Sequence, residues 1–489
     1  MNKDWLLLIP VLLPALAGLA TVFVKPFSSG KGRNGFVMAV LLATLASLIP
    51  VLTGGDKQLL ILKLGEDLPV LLRKDTAACF FAAVMAFIWC AAGLYSFEYM
   101  EHEENQARFY GFYLITLGML MALCFSGSII TFYMFYEMMT LLTVPLVMHT
   151  MEKEAVAAGI KYLIYSVTGA SLVLLGTFLL SPYAQTFTFT AGGVLKARAP
   201  QGLVLASAFL MILGFGTKAG MFPLHGWLPT AHPVAPAPAS AVLSGIITKA
   251  GVLGEIRLIY YFIGADTLRG TWVQTAFMSL TLFTVFMGSL LAFREKLFKK
   301  RLAYSSVSQV SYILFGISTL NPLGFAGSLL HVVAHALIKN TLFMSAGAVI
   351  HKTGKTGTDE LGGIGKQMPV TMWCFTVASV GLVGIPPCLG FVSKWYLAQG
   401  ALDMTGVAPF FRYAAPAVLL ISALLTAGYL LTITIRGFFP GANAGVFEKK
   451  EPTWKMLVPL CCLAGLMVLL GMFSGKLIAL FTSFAESIL

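Results

Sequence analysis

The sequence predicts an all-α polytopic membrane protein with about fourteen transmembrane helices. Three observations carry this expectation. Of the 489 residues, 58% are hydrophobic and 11% are charged, against roughly 25% charged in soluble domains. A soluble fold of this length has no interior able to hide so much apolar surface. The apolar residues lie in long continuous runs rather than alternating ones, so the spans are helices and not barrel strands. Connections are mostly short, and no soluble domain interrupts them.

In order, the spans fall near 5–24, 34–53, 75–99, 109–125, 128–149, 159–181, 203–223, 235–262, 273–293, 303–319, 324–350, 370–399, 414–438 and 455–481. The first follows a single lysine, Lys3, and lacks a convincing cleavage site, so it reads as a span and not as a removed signal peptide. The larger polar loops run near 56–74, 98–108, 294–301, 351–366 and 441–455. Odd-ranked loops carry about twice the Lys and Arg of even-ranked ones, and REKLFKKR from Arg294 is the densest. The positive-inside rule makes those loops cytoplasmic and puts both termini on the outer side.

The net charge of +12 reflects this bias. The basic residues form no stripe with interleaved aromatics, which excludes a nucleic-acid partner. The seven cysteines lie in or beside apolar runs without a C-x-x-C pair. They read as small core residues, supporting neither a disulfide framework nor an iron–sulfur site. TGKTG at Thr353 holds a GKT triplet, but Val349 stands where a phosphate-binding loop needs its first glycine. No cofactor-binding pattern is found.

Five lysines stand out in the spans: Lys218, Lys249, Lys339, Lys394 and Lys476. Lys476 is near a span end and reads as snorkelling to the interface. Each of the others costs roughly 2.5–3.5 kcal/mol at a helix centre, so their recurrence points to function. Reaching an interface is the competing reading, more open for Lys218 and Lys394 than for Lys249. Glu137, in FYMFYEMMTLL, has no other charge nearby in its span. A carboxylate within about 4–6 Å holds a lysine protonated, whereas desolvation drives the proton off. A buried lysine with a switchable partner can therefore take and release a proton.

His331, His335 and Lys339 follow at i, i+4 and i+8 in HVVAHALIK, along one helical face. Two readings stand: core histidines bonded to neighbours, or a hydrated proton path, because histidine titrates near neutral pH. A zinc site would need further ligands, and H-E-x-x-H is absent. Glu255 and Arg257 close the eighth span and read as a local pair.

GFGTKAGMFPLHGWLP from Gly214 and GIPPCLGFVSK from Gly384 each set Gly and Pro beside a lysine. Pro removes a backbone donor and Gly weakens a helix. The freed carbonyls are tolerated at membrane depth only where they face protein or water. A broken helix beside a lysine thus suggests a small hydrated cavity, with a packing kink as the alternative. Each interrupted span follows one of two similar stretches, IKYLIYSVTGA at Ile160 and IKNTLFMSAGA at Ile338. The matched helices are five spans apart, and an odd offset inverts the second repeat in the membrane.

FYEMMTL around Glu137, GTKAGMFPLHGWLPTAHPVAPAPASAVLSGIITKAGV from Gly216, HALIKNTLFMSAGAVIH from His335 and GIPPCLGFVSKW resemble the antiporter-like membrane subunits shared by respiratory complex I, Mrp-type sodium/proton antiporters and membrane-bound hydrogenases. The resemblance covers roughly spans three to thirteen. It implies fourteen helices with two inverted five-helix repeats, broken at helices seven and twelve. The units it implies are 1–108, 109–265, 270–440 and 441–489.

The resemblance also implies roles. Glu137 pairs with Lys218, and Lys249 is the central lysine. His331, His335 and Lys339 link two half-channels, and Lys394 is the exit residue. It implies a proton-translocating subunit of a redox-driven pump in a prokaryotic inner membrane, with homologous membrane subunits and peripheral redox subunits as partners. Such a subunit has no redox centre or cofactor of its own. The alternative is an Mrp D-like sodium/proton antiporter component without a redox module; a scaffold with unused channel residues is a third reading. The chain ends soon after the fourteenth span, which fits a shorter, Mrp D-like or hydrogenase-type component. Glu255 departs from the pattern, being a charge where an apolar residue is expected.

Overall fold

Side-chain caps open three of the described helices. In the computed structural model, residues 5–28, 30–65, 68–441 and 448–489 are described. The chain forms α1 (Ile9–Phe23), α2 (Gly30–Thr53), strands β1 (Gln58–Lys63) and β2 (Pro69–Arg73), α3 (Thr76–Tyr99), α4 (Gln106–Cys124), α5 (Ile129–Val147), α6 (Lys153–Leu180) and α7 (Gln201–Ala219). It continues through α8 (Leu228–Val234), α9 (Ala237–Val242), α10 (Thr248–Ile256), α11 (Trp272–Arg294), α12 (Phe298–Ser318) and α13 (Pro322–Thr353). Last come α14 (Pro369–Val383), α15 (Leu389–Leu402), α16 (Pro409–Phe438), α17 (Trp454–Met472) and α18 (Gly475–Glu486). Asp75, Ser128 and Asn321 cap α3, α5 and α13, each side chain accepting from a backbone N–H in the first turn.

Among the described residues, 11 helices are long and apolar enough to cross a membrane. Their burial sorts them. The most apolar window of α13 is 94% buried, whereas those of α2 and α16 are 33% buried. α13 is therefore the central helix, and its neighbours shield it from lipid. This explains how one helix can carry two histidines and a lysine.

Two expectations are corrected, one at the loop near 56–74 and one at the final stretch 455–481. The loop near 56–74 contains an antiparallel hairpin, β1 with β2, so the chain is not purely helical. QLLILK and PVLLR are too short to span, and their backbones pair with each other instead. The interrupted stretch 370–399 forms two helices, α14 and α15. The final stretch 455–481 also divides: α17 ends at Met472, and α18 turns Phe481 and Phe484 inward against Phe80 and Phe325 at 5.0 and 5.5 Å.

The loops gather into two clusters. In one, Lys352 and Glu98 pair at 2.8 Å, Lys455 and Glu101 at 2.8 Å, and Arg436 and Asp359 at 2.6 Å. Glu98 also accepts from the Thr453 N–H at 2.9 Å, tying the start of α17 to α3. In the other, Arg257 pairs with Asp75 at 2.6 Å, and Arg73 of the hairpin donates to the Phe189 carbonyl at 2.6 Å.

Candidate functional site: a buried lysine–histidine network

Lys218 occupies the last turn of α7 and is fully buried. Its ammonium donates to Thr140 Oγ1 at 2.8 Å, Tyr162 Oη at 2.9 Å and Ser166 Oγ at 3.0 Å. An ammonium has three donors, and each has an acceptor. Tyr162 and Ser166 are one turn apart on α6, and Thr140 faces them from α5. The Lys218 Nζ also lies 4.5 Å from the Tyr162 ring centre and 5.7 Å from that of Tyr136. α7 stops at Gly220, whose φ of 81° suits glycine. The Thr217 carbonyl near that end accepts from Trp227 Nε1 at 2.8 Å.

Glu137 makes no hydrogen bond or ion pair with Lys218, although the two lie within electrostatic range. The expected pair is not in contact here, because hydroxyls already occupy the ammonium. Glu137 is half-buried.

Lys249 sits in α10, just after a π-helical turn over Leu243–Ile247. Its Nζ donates to the Ser244 carbonyl at 3.1 Å and shares a hydrogen bond with His335 Nδ1. From His335 the stripe continues along α13 to His331, ring centres 6.2 Å apart. His331 Nδ1 bonds Ser393 Oγ at 2.8 Å, and its ring stacks on Tyr312 at 5.5 Å. Lys394 lies on the same ring, its Nζ 5.0 Å from the Tyr312 centre. That Nζ donates to the carbonyls of Leu382 and Val383 at 2.6 and 3.1 Å. These two carbonyls are left free where α14 ends at Gly384, so the lysine satisfies the helix end.

Lys339 leaves the stripe. Its Nζ donates to Ser305 Oγ at 2.7 Å and to the Leu302 carbonyl at 3.1 Å, and Ser305 bonds Tyr429 Oη at 2.6 Å. The structure thus joins Lys249, His335, His331 and Lys394 through neighbouring contacts. Lys339 branches towards α12 and α16. Lys218 forms a separate cage, with no direct contact to Lys249 among the described residues.

Glu255 and Arg257 do not pair with each other, which corrects the local-pair expectation. Positions i and i+2 of a helix point apart. Arg257 turns to Asp75, while neither oxygen of Glu255 has a partner among the described residues.

Sequence reading missed the hydroxyls of Thr140, Tyr162, Ser166, Ser305, Ser393 and Tyr429. The i, i+4 spacing of Tyr162 and Ser166 was an available signal, as was the polar run SSVSQVS from Ser305. It also missed a cavity of about 300 Å³ near the loops, lined in part by Glu103, Pro233, Ala235, Lys299 and Lys300. Lys299 there donates to the Pro233 carbonyl at 3.1 Å. Among the described residues, no group of three His, Cys, Asp or Glu could hold a metal.

A family model described as NADH:quinone oxidoreductase/Mrp antiporter, TM, matches residues 126–419. NADH-quinone oxidoreductase subunit N of Desulforudis audaxviator is 32% identical, with 97% of this chain and 96% of that protein aligned. Hydrogenase-4 component B of Escherichia coli is 30% identical over 82% of this chain and 62% of that protein. A chain of the Mrp complex from Dietzia sp. superposes with a TM-score of 0.85 at 21% identity, covering 100% of this chain and 98% of that one. That likeness concerns the fold.

Proposed function

The chain belongs to the NADH:quinone oxidoreductase/Mrp antiporter transmembrane family, and from that premise we propose that it carries protons through its buried lysine–histidine network. It does so as one membrane subunit of a multisubunit, redox-driven pump. The observation that carries this reading is the Lys249–His335 hydrogen bond, continued through His331 to Lys394. Buried titratable groups in contact across helices are costly unless used, and proton relays use them.

In this reading three further segments complete fourteen crossings: the run 237–263, α12, and the α14–α15 pair. Units 109–265 and 270–440 are the inverted repeats, flanked by 1–108 and 441–489. α7–α8 and α14–α15 are the broken helices. The glycine ends at Gly220 and Gly384, each beside a lysine, support this correspondence. The Glu98 and Glu101 cluster faces the cytoplasm, and both termini face outward. The proton enters at Lys218, with Glu137 modulating it through space. It passes to Lys249 and crosses by His335 and His331, with Lys339 as a side branch. It leaves at Lys394.

The second reading is an Mrp-type sodium/proton antiporter component without a redox module, supported by the end-to-end fold likeness to the Mrp chain. Purification of the tagged chain from its own membranes tests the choice. Co-purifying iron–sulfur and hydrogenase-like subunits support the redox-driven pump. Small membrane subunits alone, with sodium-stimulated transport in the absence of reductant, support the antiporter.

A further inference from the structure

We propose that Glu255 is a second proton-holding residue of the first helical unit, exchanging its proton with the Lys218 cage across Tyr136. The inference rests on the proton-carrying reading above and adds a residue to it. Glu255 is 0% exposed, and neither carboxyl oxygen has a hydrogen-bond partner among the described residues. An apolar side chain would fill this place without the desolvation cost that an unpartnered carboxyl carries.

Packing sets which side Glu255 serves. A Cβ on Gly251 would stand 2.7 Å from the Phe215 carbonyl, and one on Gly254 would stand 2.4 Å from the Phe215 ring. These two glycines draw α10 against α7, the helix of Lys218. Glu255 follows directly after Gly254, which meets the Phe215 ring, and that ring packs edge-on against Tyr136 with centres 5.5 Å apart; the carboxyl lies within electrostatic range of Tyr136. Tyr136 is also in range of Tyr162, which accepts from Lys218 at 2.9 Å, and of Glu137. Lys249 is six residues earlier in α10, about 9 Å along the axis and about a third of a turn away. It faces His335. The two ionisable residues of α10 thus serve different neighbours: Lys249 the stripe on α13, Glu255 the cage on α5, α6 and α7. Arg257, beyond Glu255, is committed to Asp75, with Arg73 beside it.

The transfer is balanced. An N–H bond of the Lys218 ammonium breaks as an O–H bond forms on the Glu255 carboxylate, leaving both groups neutral; the reverse step restores the charged pair. Lys218 can then lose its proton while the unit retains it.

The test uses E255Q, E255L and E255D in the assembled complex, in sealed native membrane vesicles. Protons moved per turnover of the driving reaction are measured, with K249A as control. E255Q and E255L should lower that ratio about ten-fold, with E255D retaining more. Infrared difference spectra of the wild type should show a protonated carboxyl band that shifts in D2O and changes on turnover. That band should vanish in E255Q and move in E255D. A wild-type ratio in E255L, or a Glu255 band indifferent to turnover, overturns the inference. If E255L fails to assemble, E255Q and the wild-type spectra decide. Loss of pumping in K249A but not in E255L sinks this inference alone, whereas wild-type pumping in K249A sinks the parent reading.

Discussion

Lys249 Nζ and His335 Nδ1 share a hydrogen bond between α10 and α13, and both side chains are buried. No carboxylate contacts either group among the described residues. Two adjacent bases without a counter-ion hold one proton more readily than two. In the proposed reading the contact passes a single proton from one helix to the other, the pair never holding two. In that reading it also joins the two proposed helical units, through α10 and α13.

The Lys218 cage should depend on its hydroxyls. A hydrogen bond to a charged group is worth about 1.5–3 kcal/mol. Tyr162→Phe removes one of the three acceptors and should reduce proton pumping about ten-fold, where every 1.4 kcal/mol is tenfold. Vesicle acidification per turnover reads this, and blue-native electrophoresis checks assembly. An unchanged ratio would mean that the cage merely holds a structural lysine.

Glu137 should behave differently. It makes no contact with Lys218 in this structure, and in the proposed reading it acts on that lysine through space. Glu137→Gln should therefore cost less pumping than Lys218→Ala in the same vesicles. Equal losses would show that a closed Glu137–Lys218 ion pair is an obligatory state.

Lys394 has a structural duty beside its proposed role in transport. Lys394→Ala leaves the carbonyls of Leu382 and Val383 without their donor, at about 1–3 kcal/mol for each unsatisfied group. The thermal midpoint of the detergent-purified complex should fall, and Lys394→Gln should recover part of the loss. No difference between alanine and wild type would mean that the helix end is satisfied by other means.

At the loop surface, burial pushes the Glu295 carboxyl pKa upward, but Lys300 at 2.9 Å and the N–H groups of Leu297 and Lys296 outweigh it and lower it below the usual range. A depressed carboxyl stabilises the fold above its unfolded pKa and loses that contribution as pH falls through the folded value. Glu295→Gln should lower the melting temperature at neutral pH, and the gap should close below about pH 4. Melting curves across pH check the sign.

Much of this was legible in the sequence because lipid imposes a severe filter. Lys218, Lys249, Lys339 and Lys394 stand out as charges in apolar runs, and Gly220 and Gly384 mark places where helices end. Partners were harder to read. Whether Lys218 meets Glu137 or Thr140 depends on helix rotation and depth, which hydropathy does not encode. The turn at Phe473 was passed over because apolar runs flank it on both sides, although Ser474, Gly475 and Lys476 mark it. Glu255 could be recognised as out of place, but only the structure shows the α10 segment before it packed against α7. The hairpin was lost inside a stretch classed by its polar flanks.

The most direct test replaces Lys249 with alanine in the assembled complex, with proton translocation and the driving reaction followed together in sealed vesicles. The account predicts an assembled complex whose proton translocation collapses while its Lys249→Arg counterpart keeps a measurable share. Full translocation by the Lys249→Ala complex would contradict it.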